Sequence, residues 1–338
     1  MMTKVCICGG GALGHVCAAV LASHDDVEVN VLTQRPECWS DTIVATDNDG
    51  KAYTGRLNVV SSDPSAATDG CSMVFLCLPG YAIETTLEKI RPYLSGKVVG
   101  SVVCSTGFFF AAHKVLGTDA ALFGFQRVPY IARTTCYGVS ARLLGYKSKL
   151  FIATENIDDT DGFVSLVEKL WMTPVCLLNS YFDVSLTNSN PILHTGRLYS
   201  MWHDWDGVAC DHNILFYHEW TLDASRLLLE MDAEFMKLVA VLPVTKGAIP
   251  SLLEYYECHD AESLTAKIRS IEAFKVITSP MKQVGDGWIP DFGSRYFTED
   301  FPYGLRFIVE LCHEHGVPAP TLNRVYEWGI SKIAERNG

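Results

Sequence analysis

Residues 5–14 read Val5-Cys6-Ile7-Cys8-Gly9-Gly10-Gly11-Ala12-Leu13-Gly14. An unbroken apolar run suits a strand buried on both faces. The glycines come next, and over residues 12–23 the apolar spacing becomes helical. Gly9, Gly11 and Gly14 fit G-x-G-x-x-G in this strand–turn–helix setting. Gly9 permits the tight turn, Gly11 lets backbone approach a pyrophosphate, and Gly14 lets helix and strand pack closely. The helix start at Ala12 and Leu13 aims unpaired N–H groups at the phosphates. This stretch predicts a dinucleotide-binding, doubly wound sheet.

Further apolar runs at 27–33, 57–60, 73–78, 97–104, 122–127 and 149–153 read as strands, and 83–94 reads as a helix. Strands and helices alternating at this spacing imply a mostly parallel sheet. From about Asp183 turn signals thin out and helical patterns take over, at 221–242, 252–258, 261–274, 303–315 and 322–334. The expected fold class is α/β plus all-α. A Rossmann domain over 1–180 precedes a helical substrate domain over 181–338, with close packing and a cleft between them. No internal repeat or flexible linker interrupts the chain.

The second strand of such a fold usually ends in a carboxylate that holds the ribose hydroxyls of NAD. Here the place is taken by Thr33-Gln34-Arg35. Arg35 facing a 2′-phosphate favours NADP over NAD as the cofactor, and a solvated Arg35 is the alternative. Leu78-Pro79-Gly80 and Ser105-Thr106-Gly107 follow strands at the edge where ligands of these sheets bind, so Leu78 and Pro79 join the candidate cofactor residues.

With 338 residues, 48% hydrophobic and 20% charged, the chain is long enough for two cores and too apolar for disorder. Its net charge of −12, without a basic cluster, makes nucleic acid and anionic membranes poor partners. No apolar run reaches the roughly 18 residues of a membrane span. A strand starting almost at the first residue leaves no room for a signal peptide, so a cytoplasmic protein with its twelve cysteines reduced is expected. The 303–315 stretch suits either core or interface, which is compatible with a homodimer.

Two later segments carry chemistry. Residues 291–304 read DFGSRYFTEDFPYG, placing acids and an arginine among aromatic rings. Residues 188–197 read NSNPILHTGR, with His194 about one turn into a helix opened by Pro191. A histidine there can exchange a proton near neutral pH, although most of the ten histidines must be bland. Asp300 is the candidate for fixing its tautomer, and Arg295 for a bidentate bond to a substrate carboxylate. Arg127, Arg133 and Arg197 are further candidates for carboxylate recognition. No metal site is expected, since the His, Cys and Asp residues over 203–218 lack zinc-type spacing.

Over nearly its whole length the chain resembles the opine dehydrogenases of the octopine/nopaline dehydrogenase type. NPILHTG resembles the family's histidine motif, in which Pro usually follows His; Thr195 departs from it. Trp205-Asp206-Gly207 with Leu215-Phe216-Tyr217, and DFGSRYFTEDFPYG above all, resemble family segments. The resemblance implies an NAD(P)H-dependent reductive condensation of an α-keto acid with an amino acid. His194 would be the acid/base, Asp300 its partner and Arg295 a substrate-binding arginine. FQRVPYIAR at 125–133 resembles a family loop in which Gln126 and Arg127 replace what is commonly an acid and a threonine, which suggests a more acidic substrate bound by Arg127.

Two rival readings remain. An NADP-dependent 2-keto or hydroxy acid reductase of the ketopantoate reductase kind resembles this architecture but uses a lysine early in its helical domain, and no lysine stands between Lys169 and Lys237. A nucleotide-binding sensor without turnover leaves His194, Arg295 and Asp300 together unexplained.

Overall fold

The computed structural model describes residues 2–105 and 107–335 in full, and the backbone of 336–337. The chain divides into two compact units, Met1–Thr187 and Asn188–Gly338. The first unit thus runs a few residues past the boundary expected near 180 and takes in the short helix α6 (Phe182–Ser185).

The first unit is built on an eight-stranded sheet. Its strands are β1 (Thr3–Cys8), β2 (Val27–Leu32), β5 (Val59–Ser61), β6 (Met73–Leu76), β7 (Val98–Ser101), β8 (Leu122–Phe125), β11 (Leu150–Glu155) and β12 (Val175–Leu177). The spatial order is β12-β11-β8-β7-β6-β1-β2-β5. The strands from β5 across to β8 are parallel, and β11 runs antiparallel to β8. The chain moves from β1 to one side, through β2 and β5, then returns to β6 on the other side. The order reverses at β1, and in such sheets that reversal opens the ligand crevice at the carboxyl ends of the strands.

Alternation in β1 divides the core. Val5 and Ile7 face one buried cluster and Cys6 and Cys8 the other, and all four are essentially without exposure. On the Cys6 side lie α2 (Pro64–Thr68), α3 (Gly80–Ile90) and α4 (Phe108–Leu116). On the Val5 side lie α1 (Ala12–Ala22) and α5 (Thr160–Trp171), and a second sheet covers α1 in turn. Its strands are β3 (Thr42–Thr46), β4 (Ala52–Arg56), β9 (Tyr130–Cys136) and β10 (Ser140–Tyr146), in the order β4-β3-β10-β9. A helix with apolar residues all round must be covered all round, which is why Val16 to Leu21 are wholly buried. This sheet comes in addition to the strands expected from the sequence. The exposed residues of β9 hide its alternation.

The second unit is mainly helical: α7 (Asn190–Trp202), α8 (Leu222–Val241), α9 (Leu252–Tyr256), α10 (Ala261–Ser270), α11 (Arg295–Thr298), α12 (Arg306–Glu314) and α13 (Pro320–Asn337). A hairpin of β13 (Met281–Val284) and β14 (Gly287–Pro290) was not expected. Helix α8 is central, and besides its apolar face it carries two buried carboxylates. Asp232 accepts the Leu252 N–H at the start of α9, and Glu234 accepts the N–H groups of Thr321 and Leu322 at the start of α13. Each acid satisfies donors that a helix start leaves unpaired. No helix among the described residues is long and apolar enough to cross a membrane.

Asp232 is 6% exposed. Burial pushes its carboxyl up from 3.8 to about 6, against the Leu252 N–H, which lowers it. The folded state therefore holds a proton that the unfolded chain releases between those values. This contribution to stability is complete below pH 4 and is lost as pH rises through 6. Asp232→Asn keeps an acceptor for Leu252 and removes the charge. Urea denaturation should find it more stable than the parent by about 1–2 kcal/mol at pH 7, with the difference vanishing near pH 4. An equal effect at both pH values would contradict this origin.

Candidate active site

The glycine loop lies between β1 and α1, beside the order reversal. Gly9 adopts φ +132°, and a Cβ there would stand 2.5 Å from the Cys77 carbonyl oxygen and 3.2 Å from Leu78. A Cβ on Gly14 would lie 2.0 Å from the Gly9 oxygen. These two glycines are required by the fold itself. Gly11 differs: it caps α1 and has nothing within 4 Å of its Cβ position. Open space over the unpaired N–H groups of a helix start suits a pyrophosphate, so the loop fits a dinucleotide. Leu78 lies against Gly9, and Pro79 caps α3 at the same edge. The Ser105-Thr106-Gly107 loop is only partly described, because Thr106 lies outside the described residues.

The second sheet reaches this loop through its β9–β10 turn. His15 is buried on α1; Nδ1 donates to the Gly11 oxygen at 2.8 Å and Nε2 accepts the Gly138 N–H at 2.7 Å. Burial lowers its pKa, and acceptance of the Gly138 N–H at Nε2 requires the neutral ring. The neighbouring Tyr137 approaches Thr33 Oγ1 at 3.4 Å and lies under the Arg35 guanidinium, 4.0 Å from the ring centroid. Arg35 is exposed and stacked at the end of β2.

Arg127 follows β8. It donates to the Gln126 oxygen and to both the hydroxyl and carbonyl of Thr187, so it ties down the end of the first unit. It also lines a cavity of about 200 Å³ with Gln126, Lys147 and Lys149, at the carboxyl edge of β8.

In the second unit, α7 presents His194 on its second turn. Thr195 is wholly buried and returns its hydroxyl to the Pro191 carbonyl. Asp300 Oδ2 stands 2.8 Å from His194 Nδ1. A carboxylate only accepts, so Nδ1 carries the proton. Nε2 stands 2.9 Å from the Tyr217 hydroxyl. Tyr296 and Phe216 wall the imidazole, with centroids 4.8 and 5.7 Å away. Asp300 directly precedes a π-helical turn, Phe301–Leu305, in which the Leu305 N–H reaches back to the Asp300 oxygen at 2.8 Å. Such turns are rare and are frequent at functional sites.

The structure thus brings His194 and Asp300 together across 106 residues of sequence. Arg295 is placed otherwise. Its guanidinium makes a bidentate pair with Glu299, at 2.9 and 2.8 Å, and its side chain is 83% exposed. Arg133 is exposed on β9. The expectation for Arg197 is corrected. It is 2% exposed, bonded to the carbonyls of Phe216 and Glu219, and packed on Trp220. Burial lowers its pKa to about 10, which leaves it a cation at neutral pH. It staples a turn and does not await a substrate. The polar residues over 203–218 form exposed ion pairs, such as His212 with Asp211 and Glu219. Among the described residues no group of three or more His, Cys, Asp or Glu could hold a metal ion.

His15, Tyr137 and Tyr217 were missed by sequence reasoning. Each acts through a partner on another element, and only the Leu215-Phe216-Tyr217 segment carried any signal.

A family described as NAD/NADP octopine/nopaline dehydrogenase, alpha-helical domain, matches residues 177–332, and the ketopantoate reductase PanE/ApbA family matches residues 5–106. Octopine dehydrogenase of Mizuhopecten yessoensis is 30% identical over 99% of this chain and 91% of its own length. Opine dehydrogenase of Haliotis discus hannai is 28% identical over 97% and 90%. The solved structure of octopine dehydrogenase with NADH and L-arginine superposes with a TM-score of 0.85 at 26% identity, covering 98% of this chain and 90% of that one. With its glycine loop on one unit and its histidine–aspartate pair on the other, the chain belongs to the octopine/nopaline dehydrogenase family of NAD(P)-dependent oxidoreductases that act on CH–NH bonds.

Proposed function

We propose that this opine dehydrogenase condenses an α-keto acid with the amino group of an amino acid and reduces the product with NAD(P)H, using His194 as acid/base and Asp300 as its positioning partner. The observation that carries these roles is the 2.8 Å bond from Asp300 to His194 Nδ1. It holds the ring in the tautomer whose other nitrogen accepts a proton. A bound nicotinamide cofactor supplies the hydride. Gly9, Gly11, Ala12, Leu13 and Gly14 form its phosphate cradle, with Thr33, Leu78 and Pro79 beside it. Arg35 is our candidate for a 2′-phosphate, which favours NADPH, because no carboxylate occupies the end of β2 and its guanidinium is exposed.

Condensation requires the amine to lose its ammonium proton and the carbonyl oxygen to leave as water. One group that can take a proton and return it serves both transfers, and His194 is our candidate for that group. Arg295 and Arg127 are our candidates for substrate carboxylates. Glu299 already holds Arg295, so a substrate would displace that carboxylate or share its guanidinium. The cations around Arg127 suit an acidic substrate. We place the enzyme in the cytoplasm, where its cysteines, all free thiols, stay reduced. Of the two roles open to 303–315, core fits it, since Phe307, Ile308, Leu311 and Cys312 are buried within the chain itself.

Oxidation of NADPH and of NADH by the purified protein, against keto-acid and amino-acid panels, tests the reading. The expected outcome is turnover only when both substrates are present, faster with NADPH. Turnover with a keto acid alone would make the protein a simple reductase of the ketopantoate reductase kind. Gly11→Ala should keep the melting temperature and lose dinucleotide binding, because its methyl group enters space that only the ligand fills. Gly14→Ala should damage the fold as well, and equal behaviour of the two variants would count against the cradle.

A further inference from the structure

Both ring nitrogens of His194 are occupied, Nδ1 by Asp300 and Nε2 by the Tyr217 hydroxyl. A substrate oxygen reaches Nε2 directly only if Tyr217 leaves. Tyr217 is built to stay. Its ring lies parallel to Trp220 within 7°, stacks on Phe274 at 4.5 Å and meets Phe216 edge-on at 4.9 Å, and the residue is 6% exposed. The turn that carries it is braced on three sides. Leu215 bridges to Thr278, the Phe216 N–H bonds the Ile277 oxygen at 2.8 Å, and the Glu219 carboxylate accepts the Leu215 N–H at 2.6 Å. Arg197 donates to the carbonyls of Phe216 and Glu219, on either side of Tyr217. It lies one turn beyond His194 on α7, so a single helix holds the imidazole and the clamp on the turn that presents the hydroxyl.

We propose that the Tyr217 hydroxyl is the group that meets the substrate, and that Asp300, His194 and Tyr217 form a proton relay. The proposal rests on the opine reading above for the identity of the reacting groups. A hydroxyl both donates and accepts, so it serves either protonation state of its neighbour by rotating. In the first transfer the substrate ammonium gives a proton to the Tyr217 oxygen while the Tyr217 proton passes to His194 Nε2. The free amine then adds to the carbonyl, and a proton passes from the new ammonium nitrogen to the alkoxide oxygen, which gives the neutral carbinolamine. In the second transfer the carbinolamine C–O bond breaks with its electron pair on oxygen. That oxygen takes the Tyr217 proton, Tyr217 takes the Nε2 proton, and the nitrogen lone pair forms the C=N bond. Water leaves, the iminium stays in place for reduction, and His194 is neutral again. Burial, reinforced by Tyr296, Tyr256 and Asp300, pushes the Tyr217 phenol far above its ordinary value. A free phenolate is therefore disfavoured, and the two protons of each transfer move together.

The test compares wild type, Tyr217→Phe and His194→Ala in the presence of keto acid and amine. Phe keeps the ring stack and removes only the hydroxyl. The opine reading is scored on wild-type turnover with both substrates, and the relay on the ratio of the variant to wild type, so one failure is not mistaken for the other. The relay predicts that Tyr217→Phe loses about a hundredfold in kcat, approaching His194→Ala, with dinucleotide binding and melting temperature unchanged. It also predicts that wild-type kcat in mixtures of light and heavy water follows the bowed curve of two moving protons, a readout that needs no variant. A loss below about tenfold, or a straight wild-type curve, would overturn the relay and leave Tyr217 a packing residue.

Discussion

The bond between Asp300 and His194 depends on most of the second unit. The histidine stands on α7 and the carboxylate at the head of a π-helical turn 106 residues later. Neither partner is useful alone. Without the carboxylate the ring is free to choose its tautomer, and without the ring a partly buried acid keeps only water. Packing decides where the two meet. Phe297 and Phe301 are wholly buried in the aromatic cluster with Trp328, and this anchoring sets the position of Asp300 between them. The alternation of charge and ring over 291–304 separates in space. Rings face inward, Asp300 faces the histidine, and Arg295 pairs with Glu299 at the surface.

The first unit depends on a constraint of space. Helix α1 is covered on both sides by sheet, and its start is closed down by contacts that only glycine allows. His15 extends this arrangement, bonding the glycine loop at one ring nitrogen and the second sheet at the other. Its two bonds set the turn that brings Tyr137 beneath Arg35. The stacked Arg35 loses little further freedom on meeting a phosphate, which fits the preference for NADPH that we propose.

Sequence made some of this legible and hid the rest for physical reasons. The β1–glycine–α1 passage could be read because the close approaches at Gly9 and Gly14 each demand one residue type. His194 and Asp300 could be paired because few residues suit that chemistry and each lies in a distinctive segment. The second sheet was missed because half-exposed strands such as β9 lack a buried run. Arg197 was misread because a guanidinium looks the same in sequence whether it faces a substrate or the carbonyls of Phe216 and Glu219. Tyr217 was passed over because its partner lies across a turn braced by backbone bonds, and these leave no pattern of side chains.

The tautomer of His194 decides which ring nitrogen can take a proton during catalysis. Nitrogen-15 NMR of the histidine-labelled protein measures it directly, with the His194 signals assigned by their loss in His194→Gln. In the neutral ring Nδ1 is expected to carry the proton, moved downfield by the bond to Asp300, and Nε2 to be unprotonated and to accept from Tyr217. A neutral ring protonated at Nε2 would contradict it, since Asp300 would then hold no proton of the imidazole and Tyr217 could not donate to it.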